Sequence, residues 1–274
     1  MATLPTIAIL GSGSMGGAIL SGLVQPGVSV TGDIRVTNRT ESKAEALAAE
    51  GVRSLSLERD PDANLMAIDG ARIVLVGVKP AMVGDLLRSI AGHLAPDALV
   101  ISVAAGVPIA AMEALVPGAV ARAMPNTPAV VGLAVTGISA GTRTTADDMA
   151  LTRALFETVG SVLEVPEAKV DALSTISGSG PAYVFYLIEE LTRTAIDLGF
   201  TPEEAAVMVN GTFRGASELL AAGDVPPEEL RRRVTSPGGT TERAIAEFVD
   251  ADLKATFDRA TAAALARAKE LAAG

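Results

Sequence analysis

Hydrophobic residues follow two rhythms along this chain, and the change from one to the other divides it. In the first part, short apolar runs alternate with amphipathic stretches. Thr6-Ile7-Ala8-Ile9-Leu10, Arg72-Ile73-Val74-Leu75-Val76-Gly77-Val78 and Ala98-Leu99-Val100-Ile101-Ser102-Val103-Ala104 are runs of the kind buried on both faces of a parallel sheet. The pattern predicts strands at 6–10, 33–38, 72–78 and 98–104, with helices at 14–24, 41–50, 80–93 and 108–115. Segment 41–50 is rich in strong helix formers and is closed by Gly51. Shorter strands are predicted at 119–124, 133–140 and 161–165, the last two separated by a helix from Thr145 to Gly160. After about residue 165 the strand signals stop. Helices are predicted at 168–176, 179–198, 202–222, 226–234, 239–249 and 251–272. Thr201-Pro202-Glu203-Glu204 is a well-formed helix start, with a cap, a proline at the first position and acids in the first turn.

Alternating strands and helices imply an α/β fold with a doubly wound parallel sheet and right-handed crossovers. The expected domains are 1–165, built on the sheet, and 166–274, all helical. Segments 179–198 and 202–222 are long and rich in Leu, Ile, Val and Ala. Two outcomes stay open for them: a homodimer interface or an ordinary helical core within the chain. No internal repeat is apparent.

Composition narrows the functions. The chain has 274 residues, 49% of them hydrophobic and 20% charged, enough for packed cores and unlike a disordered protein. A net charge of −10, 3% aromatics and no Trp argue against nucleic-acid binding. Without Cys there are no disulfides, thiolate nucleophiles or Cys-based metal sites, and a single histidine, His93, excludes a His-cluster metal site. No apolar run reaches membrane-spanning length, and the first strand begins almost at once after Met1. A cytoplasmic location with no membrane partner is expected.

Two glycine-rich loops carry the chemistry. Gly11-Ser12-Gly13-Ser14-Met15-Gly16 follows the first strand and opens a helix. This is the context in which G-x-G-x-x-G marks a dinucleotide site on a Rossmann-like sheet. Gly11 allows the tight turn, Gly13 lets the backbone approach a pyrophosphate, and Gly16 allows helix and strand to pack closely. At the end of the second strand, where NAD sites carry an acid for the ribose hydroxyls, this chain has Asn38-Arg39-Thr40, with no acid before Glu41. An arginine with neutral polar neighbours suits a 2′-phosphate, so NADPH is expected over NADH, which remains possible. The strand-end loops Gly77-Val78-Lys79-Pro80 and Val103-Ala104-Ala105 should flank the cofactor. In Met124-Pro125-Asn126-Thr127-Pro128 the prolines fix a rigid turn, and Asn126 offers a donor and an acceptor for a carboxamide.

The second loop, Ser236-Pro237-Gly238-Gly239-Thr240-Thr241, again feeds a helix and presents unpaired N–H groups at its positive end, a site for a small anion. Together with Ser177-Gly178-Ser179-Gly180-Pro181-Ala182-Tyr183, Val78-Lys79-Pro80, Ser102-Val103-Ala104-Ala105-Gly106 and the 124–128 turn, it makes the chain resemble the pyrroline-5-carboxylate reductases along its whole length. The resemblance implies NAD(P)H-dependent reduction of 1-pyrroline-5-carboxylate to proline, the last step of proline synthesis. It also implies an N-terminal Rossmann-like domain and a helical C-terminal domain that interlocks as a homodimer, often within a larger ring. By motif position it places cofactor contacts on the first glycine loop, on Asn38 to Thr40, on Asn64 and on the loops at 77–80 and 103–105. Substrate contacts fall on Ser236, Gly238, Gly239, Thr240 and Thr241, with Glu167 as a further candidate. Arg233 stands where some relatives have Asn.

The chemistry agrees with that resemblance. Backbone N–H groups from Gly239 to Thr241 can hold a carboxylate without an arginine clamp. Thr241 is the candidate catalytic group, hydrogen-bonding the ring nitrogen and orienting the ring; capping of the helix is the plainer role for Thr240 and Thr241. Two other functions stay open at this point. A β-hydroxyacid dehydrogenase would use a lysine near Lys169 as acid and base. A non-catalytic NADP-binding sensor would have no need of the second loop.

Overall fold

A computed structural model describes residues 3–273, the side chains to residue 270. The sheet-forming part runs β1 (Ile7–Leu10), α1 (Ser14–Leu23), β2 (Ile34–Asn38), α2 (Glu41–Ala46), β3 (Val52–Ser56), α3 (Ala63–Ile68), β4 (Ile73–Val76), α4 (Pro80–Ile90), β5 (Leu99–Ser102), α5 (Ile109–Glu113), β6 (Ala119–Met124), β7 (Ala134–Ala140), α6 (Ala146–Glu157) and β8 (Gly160–Glu164). The helices α7 (Val170–Leu173), α8 (Gly180–Asp197), α9 (Pro202–Ala221), α10 (Pro227–Arg233), α11 (Thr240–Asp250) and α12 (Leu253–Ala273) follow. Strand order is β3-β2-β1-β4-β5-β6-β7-β8, parallel throughout except where β7 runs antiparallel to β6. The expected α/β class and doubly wound sheet are therefore present, with β7 and β8 reversed.

Strand alternation explains the unbroken apolar runs. Ile7 and Ile9 of β1, Ile73 and Leu75 of β4, and Leu99 and Ile101 of β5 enter one core with Ile19, Leu23 and Phe156. Ala8 and Leu10, Val74 and Val76, and Val100 enter a second core on the other face with Leu87, Ile90 and Met112. A strand covered on both sides must be apolar at every position.

Three elements differ from expectation. β3 is absent from the expected strands; Val52-Arg53-Ser54-Leu55-Ser56 lacks a continuous apolar run because it is the edge strand, held by parallel pairing to β2. α2 stops at Ala46 rather than 50, since Gly51 (φ 77°) and the Ala49–Val52 bridge turn the chain into β3. α3 has only six residues, too few to show a helical period.

The chain forms two compact units: the residues up to Ser179 together with those from Ala264 on, and Gly180–Ala263. Compactness thus divides the chain later than the 165/166 change from strands to helices. Segment 166–179 stays with the sheet: Val170 is fully buried, and a Cβ at Gly137 of β7 would meet Leu173 at 2.6 Å. In the second unit α8 and α9 pack on each other, yet only Ala195, Ala205 and Val209 are buried hydrophobics among its described residues. Among the described residues no helix is long and apolar enough to cross a membrane.

Candidate active site

The first glycine loop lies at the reversal of strand order between β1 and β4, where doubly wound sheets bind ligands. Its turn is anchored by the Thr37 carbonyl, which accepts from the N–H groups of Gly11 and Ser12 at 3.1 Å each. Gly11 has φ 85°, and a Cβ there would stand 2.6 Å from Val78, so only glycine fits. A Cβ at Gly16 would crowd the Gly11 carbonyl at 3.2 Å, whereas one at Gly13 would enter open space. Open space over backbone is what a close-lying pyrophosphate requires. No hydrogen bond among the described residues uses the N–H of Ser14, Met15 or Gly16, at the start of α1, as donor.

A cavity of about 710 Å³ opens from this loop. It is lined by Gly11, Gly13, Asn38, Arg39, Thr40, Asn64, Gly77, Val78 and Lys79 among the expected cofactor residues. Lys43, one turn into α2, lines it as well and lies outside the expected set. The signal is in the sequence: a cation four residues after Arg39 on a helix that starts at the strand end. Neither Arg39 nor Lys43 forms an ion pair among the described residues. Glu41 does not compete with them. Its carboxylate accepts from the Ser56 hydroxyl of β3 and from Arg59 at 3.4 Å. Asn64, which lines the cavity, accepts the Thr37 hydroxyl at 2.8 Å through Oδ1. Buried Ser12 Oγ and Asn38 Nδ2 have no partner among the described residues. Free N–H groups, two unpaired cations and orphaned polar atoms fit a phosphorylated dinucleotide.

The other expected cofactor residues stand differently. Met15 and Val103 are partly buried against one core, and Ala104 is buried in the other. Pro80 and Ala105 line a neighbouring cavity, of about 810 Å³, which shares Lys79 and Ala81 with the first. Asn126 is buried with both ends of its amide engaged: Nδ2 donates to the Ser177 carbonyl and Oδ1 accepts from the Val135 N–H, each at 2.9 Å. Its carboxamide ties the 124–128 turn to the Ser-Gly-Ser-Gly segment. Glu167 Oε1 accepts the Ile109 N–H at 2.7 Å and lies 3.6 Å from Arg122, so that side chain too is held within the first unit.

The second glycine loop belongs to the second unit. Gly238 has φ 72°, and its N–H donates to the Glu242 carboxylate at 2.9 Å. The Gly239 N–H donates to the Ser236 carbonyl at 3.0 Å. This leaves the N–H groups of Thr240 and Thr241 without an acceptor among the described residues. No side chain caps the helix at Gly239, so capping is not what either threonine hydroxyl does here. The free N–H groups start one residue later than expected, because Gly239 is consumed by the turn. Among the described residues no group of acids and histidines is placed to hold a metal ion.

Comparison with known proteins agrees with these features. Residues 167–271 match the family model described as pyrroline-5-carboxylate reductase dimerisation, and residues 6–106 match that described as NADP oxidoreductase coenzyme F420-dependent. The pyrroline-5-carboxylate reductase of Corynebacterium melassecola is 36% identical over 98% of this chain and 99% of its own. That of Pseudomonas aeruginosa is 35% identical over 98% and 97%. Among solved structures, a pyrroline-5-carboxylate reductase from Coxiella burnetii superposes with a TM-score of 0.89 at 33% identity, over 97% of this chain and 98% of that one. The Plasmodium falciparum pyrroline carboxylate reductase, a structure with NADP bound, does so with a TM-score of 0.81 at 26% identity, with the same coverage. The resemblance read from the motifs is borne out over nearly the full length, and the chain belongs to the pyrroline-5-carboxylate reductase family.

Proposed function

We propose that this chain is an NADPH-dependent reductase that converts 1-pyrroline-5-carboxylate to L-proline, the last step of proline biosynthesis. The observation that carries the reading is the pair of helix-opening glycine loops, each with N–H groups left free for an anion, on a chain of this family. The domain at 1–165 is the cofactor-binding part and that at 166–274 the substrate-binding and dimerising part, a division supported by the family match beginning at residue 167.

When bound, the nicotinamide supplies the hydride. The free N–H groups at the start of α1 hold the pyrophosphate, and Arg39 with Lys43 holds the 2′-phosphate. Asn38, Thr40, Asn64 and the loops at 77–80 and 103–105 complete the cradle, largely through backbone. The Thr240 and Thr241 N–H groups take the substrate carboxylate, in a turn shaped by Ser236, Gly238 and Gly239. The Thr241 hydroxyl orients the ring through its nitrogen, and Glu167 braces the first unit rather than touching the substrate. A second copy covers the exposed apolar faces of α8 and α9, dimers associate further into a ring, and the enzyme is cytoplasmic.

The test is NADPH oxidation on adding pyrroline-5-carboxylate, repeated with NADH. Wild type should consume NADPH faster at equal cofactor concentration. Thr241→Ala should lower kcat by about tenfold, the scale of a lost orienting contact, with NADPH affinity unchanged. No consumption by wild type would refute the function; an unaltered kcat would remove the role of Thr241.

A further inference from the structure

The loop at 103–108 joins β5 to α5 and brings Ala105, Gly106 and Val107 to the wall of the cavity of about 810 Å³. No backbone hydrogen bond among the described residues involves any of these three. The loop is tied at its two ends instead. At its start the Val103 N–H donates to the Val76 carbonyl at 3.1 Å, and the Ala104 N–H to the Ser102 hydroxyl at 3.2 Å. At its end the N–H of Ile109, the first residue of α5, donates to Glu167 Oε1 at 2.7 Å. Between the ties, Val107 is partly buried against the second core.

The second tie reaches across 58 residues, and charge holds it in place. Glu167 Oε1 lies 3.6 Å from a terminal nitrogen of Arg122 on β6, a side chain only 6% exposed. The other terminal nitrogen of Arg122 donates to Asp171 at 2.7 Å. A guanidinium so enclosed is costly unless anions accompany it, which fixes both carboxylates around it. Arg122 stands beside Ser102 in the β5–β6 register, at the foot of the loop. The loop, the cavity lining and the three charged residues all belong to the first compact unit.

A doubly wound dinucleotide site has two halves, one for each mononucleotide. Here Arg39 and Asn64 belong to the half built on β1, β2 and β3, and the 103–108 loop to the half built on β4, β5 and β6. Glu167 is tied to the second half, through Ile109 and Arg122. A loop ordered in advance does not subtract its ordering cost from ligand affinity. We propose that Glu167 is a positioning residue for the nicotinamide half of the cofactor. It acts through the Ile109 N–H on the β5–α5 loop, and Arg122 keeps its carboxylate in place. The proposal rests on the reading of the chain as an NADPH-dependent reductase, and it requires no contact between Glu167 and a ligand.

The experiment titrates full-length wild type, Glu167→Gln, Glu167→Asp and Glu167→Ala by calorimetry, without substrate. Two ligands are used: NADPH, and adenosine 2′,5′-bisphosphate, which lacks the nicotinamide half. Glu167→Ala should weaken NADPH by about tenfold and leave the bisphosphate within about twofold, since the first half of the site is untouched. Glu167→Gln keeps the reach and an accepting oxygen but loses the charge, and it should stay within about threefold of wild type for NADPH. Glu167→Asp keeps the charge but ends one methylene short of the Ile109 N–H, so it should weaken NADPH more than Glu167→Gln does. Equal weakening of both ligands, an unmoved NADPH affinity in Glu167→Asp, or a larger loss in Glu167→Gln than in Glu167→Asp would overturn the assignment. Absence of NADPH binding by wild type would instead overturn the cofactor reading on which it rests.

Discussion

The two units solve the burial of apolar side chains in opposite ways. In the sheet unit, Phe156, Ile19, Ile73 and Leu87 have essentially no exposed surface. In the helical unit, Phe185 is 65% exposed, Tyr186 60% and Val207 76%, on helices as apolar in sequence as those of the sheet unit. A sheet covered by helices on both faces finishes its core within one chain. A pair of long helices has apolar surface left over, and contiguous exposed apolar surface marks an interaction site. The sequence by itself leaves an intrachain helical core and a dimer interface equally open. The scarcity of buried residues in 180–263 decides against the former, and the dimerisation family match agrees with the latter.

The largest effects should separate the two kinds of apolar residue. Phe156→Ala removes a fully buried ring and should cost about 3–5 kcal/mol of stability, seen as a lower melting temperature at every protein concentration. Phe185→Asp should leave the sheet unit folded, yield monomers in sedimentation and weaken association by about 2 kcal/mol or more. Its melting temperature should lose the concentration dependence of an oligomer. Should Phe185→Asp remain associated, the contrast between the units fails.

A smaller effect should appear in the cofactor cavity. Arg39→Ala removes charge-assisted hydrogen bonds worth about 1.5–3 kcal/mol, so NADPH affinity should fall roughly ten- to a hundredfold. NADH affinity, measured by the same fluorescence titration, should stay nearly constant. Equal losses would place Arg39 elsewhere than at the 2′-phosphate.

The smallest effects compare charge pairs in the two units. Burial pushes the Asp148 carboxyl up, but the Thr145 N–H and hydroxyl and the Arg72 guanidinium outweigh it and hold the carboxyl below its ordinary value. A depressed folded value means stability that is complete at neutral pH and lost as pH falls through that value. Asp148→Asn should therefore lower stability at pH 7 by about 1–2 kcal/mol, a difference that shrinks in melts below about pH 4. On α10, hydrogen bonds from Arg232 and Arg233 bring Glu229 down to about 2. That group lies at the surface in a single-helix cluster, and Glu229→Gln should leave the melting temperature unchanged at physiological salt.

Much of the site is legible in the sequence because its chemistry is local. The turn at Gly11, the helix start after Gly13 and the replacement of an acid by Asn38-Arg39-Thr40 all lie within a few residues of the strands that place them. Lys43 is equally local, though no motif singles it out. Asn126 is held by contacts of the opposite kind. Its amide has the chemistry of a ligand contact, yet Ser177, 51 residues away, takes its donor.

Hydrophobic rhythm and glycine placement set most of the order of elements, the α/β class and the use of an NAD(P)H-type cofactor, because each acts within one or two turns of chain. Only the folded molecule decided where charge is enclosed and which apolar faces stay bare. Arg122 becomes a buried cation because β6 meets Asp171 from 49 residues away. Phe185 stays exposed because none of the described residues of its own chain covers it. Such outcomes depend on which distant surfaces meet, and no short stretch of sequence contains that information.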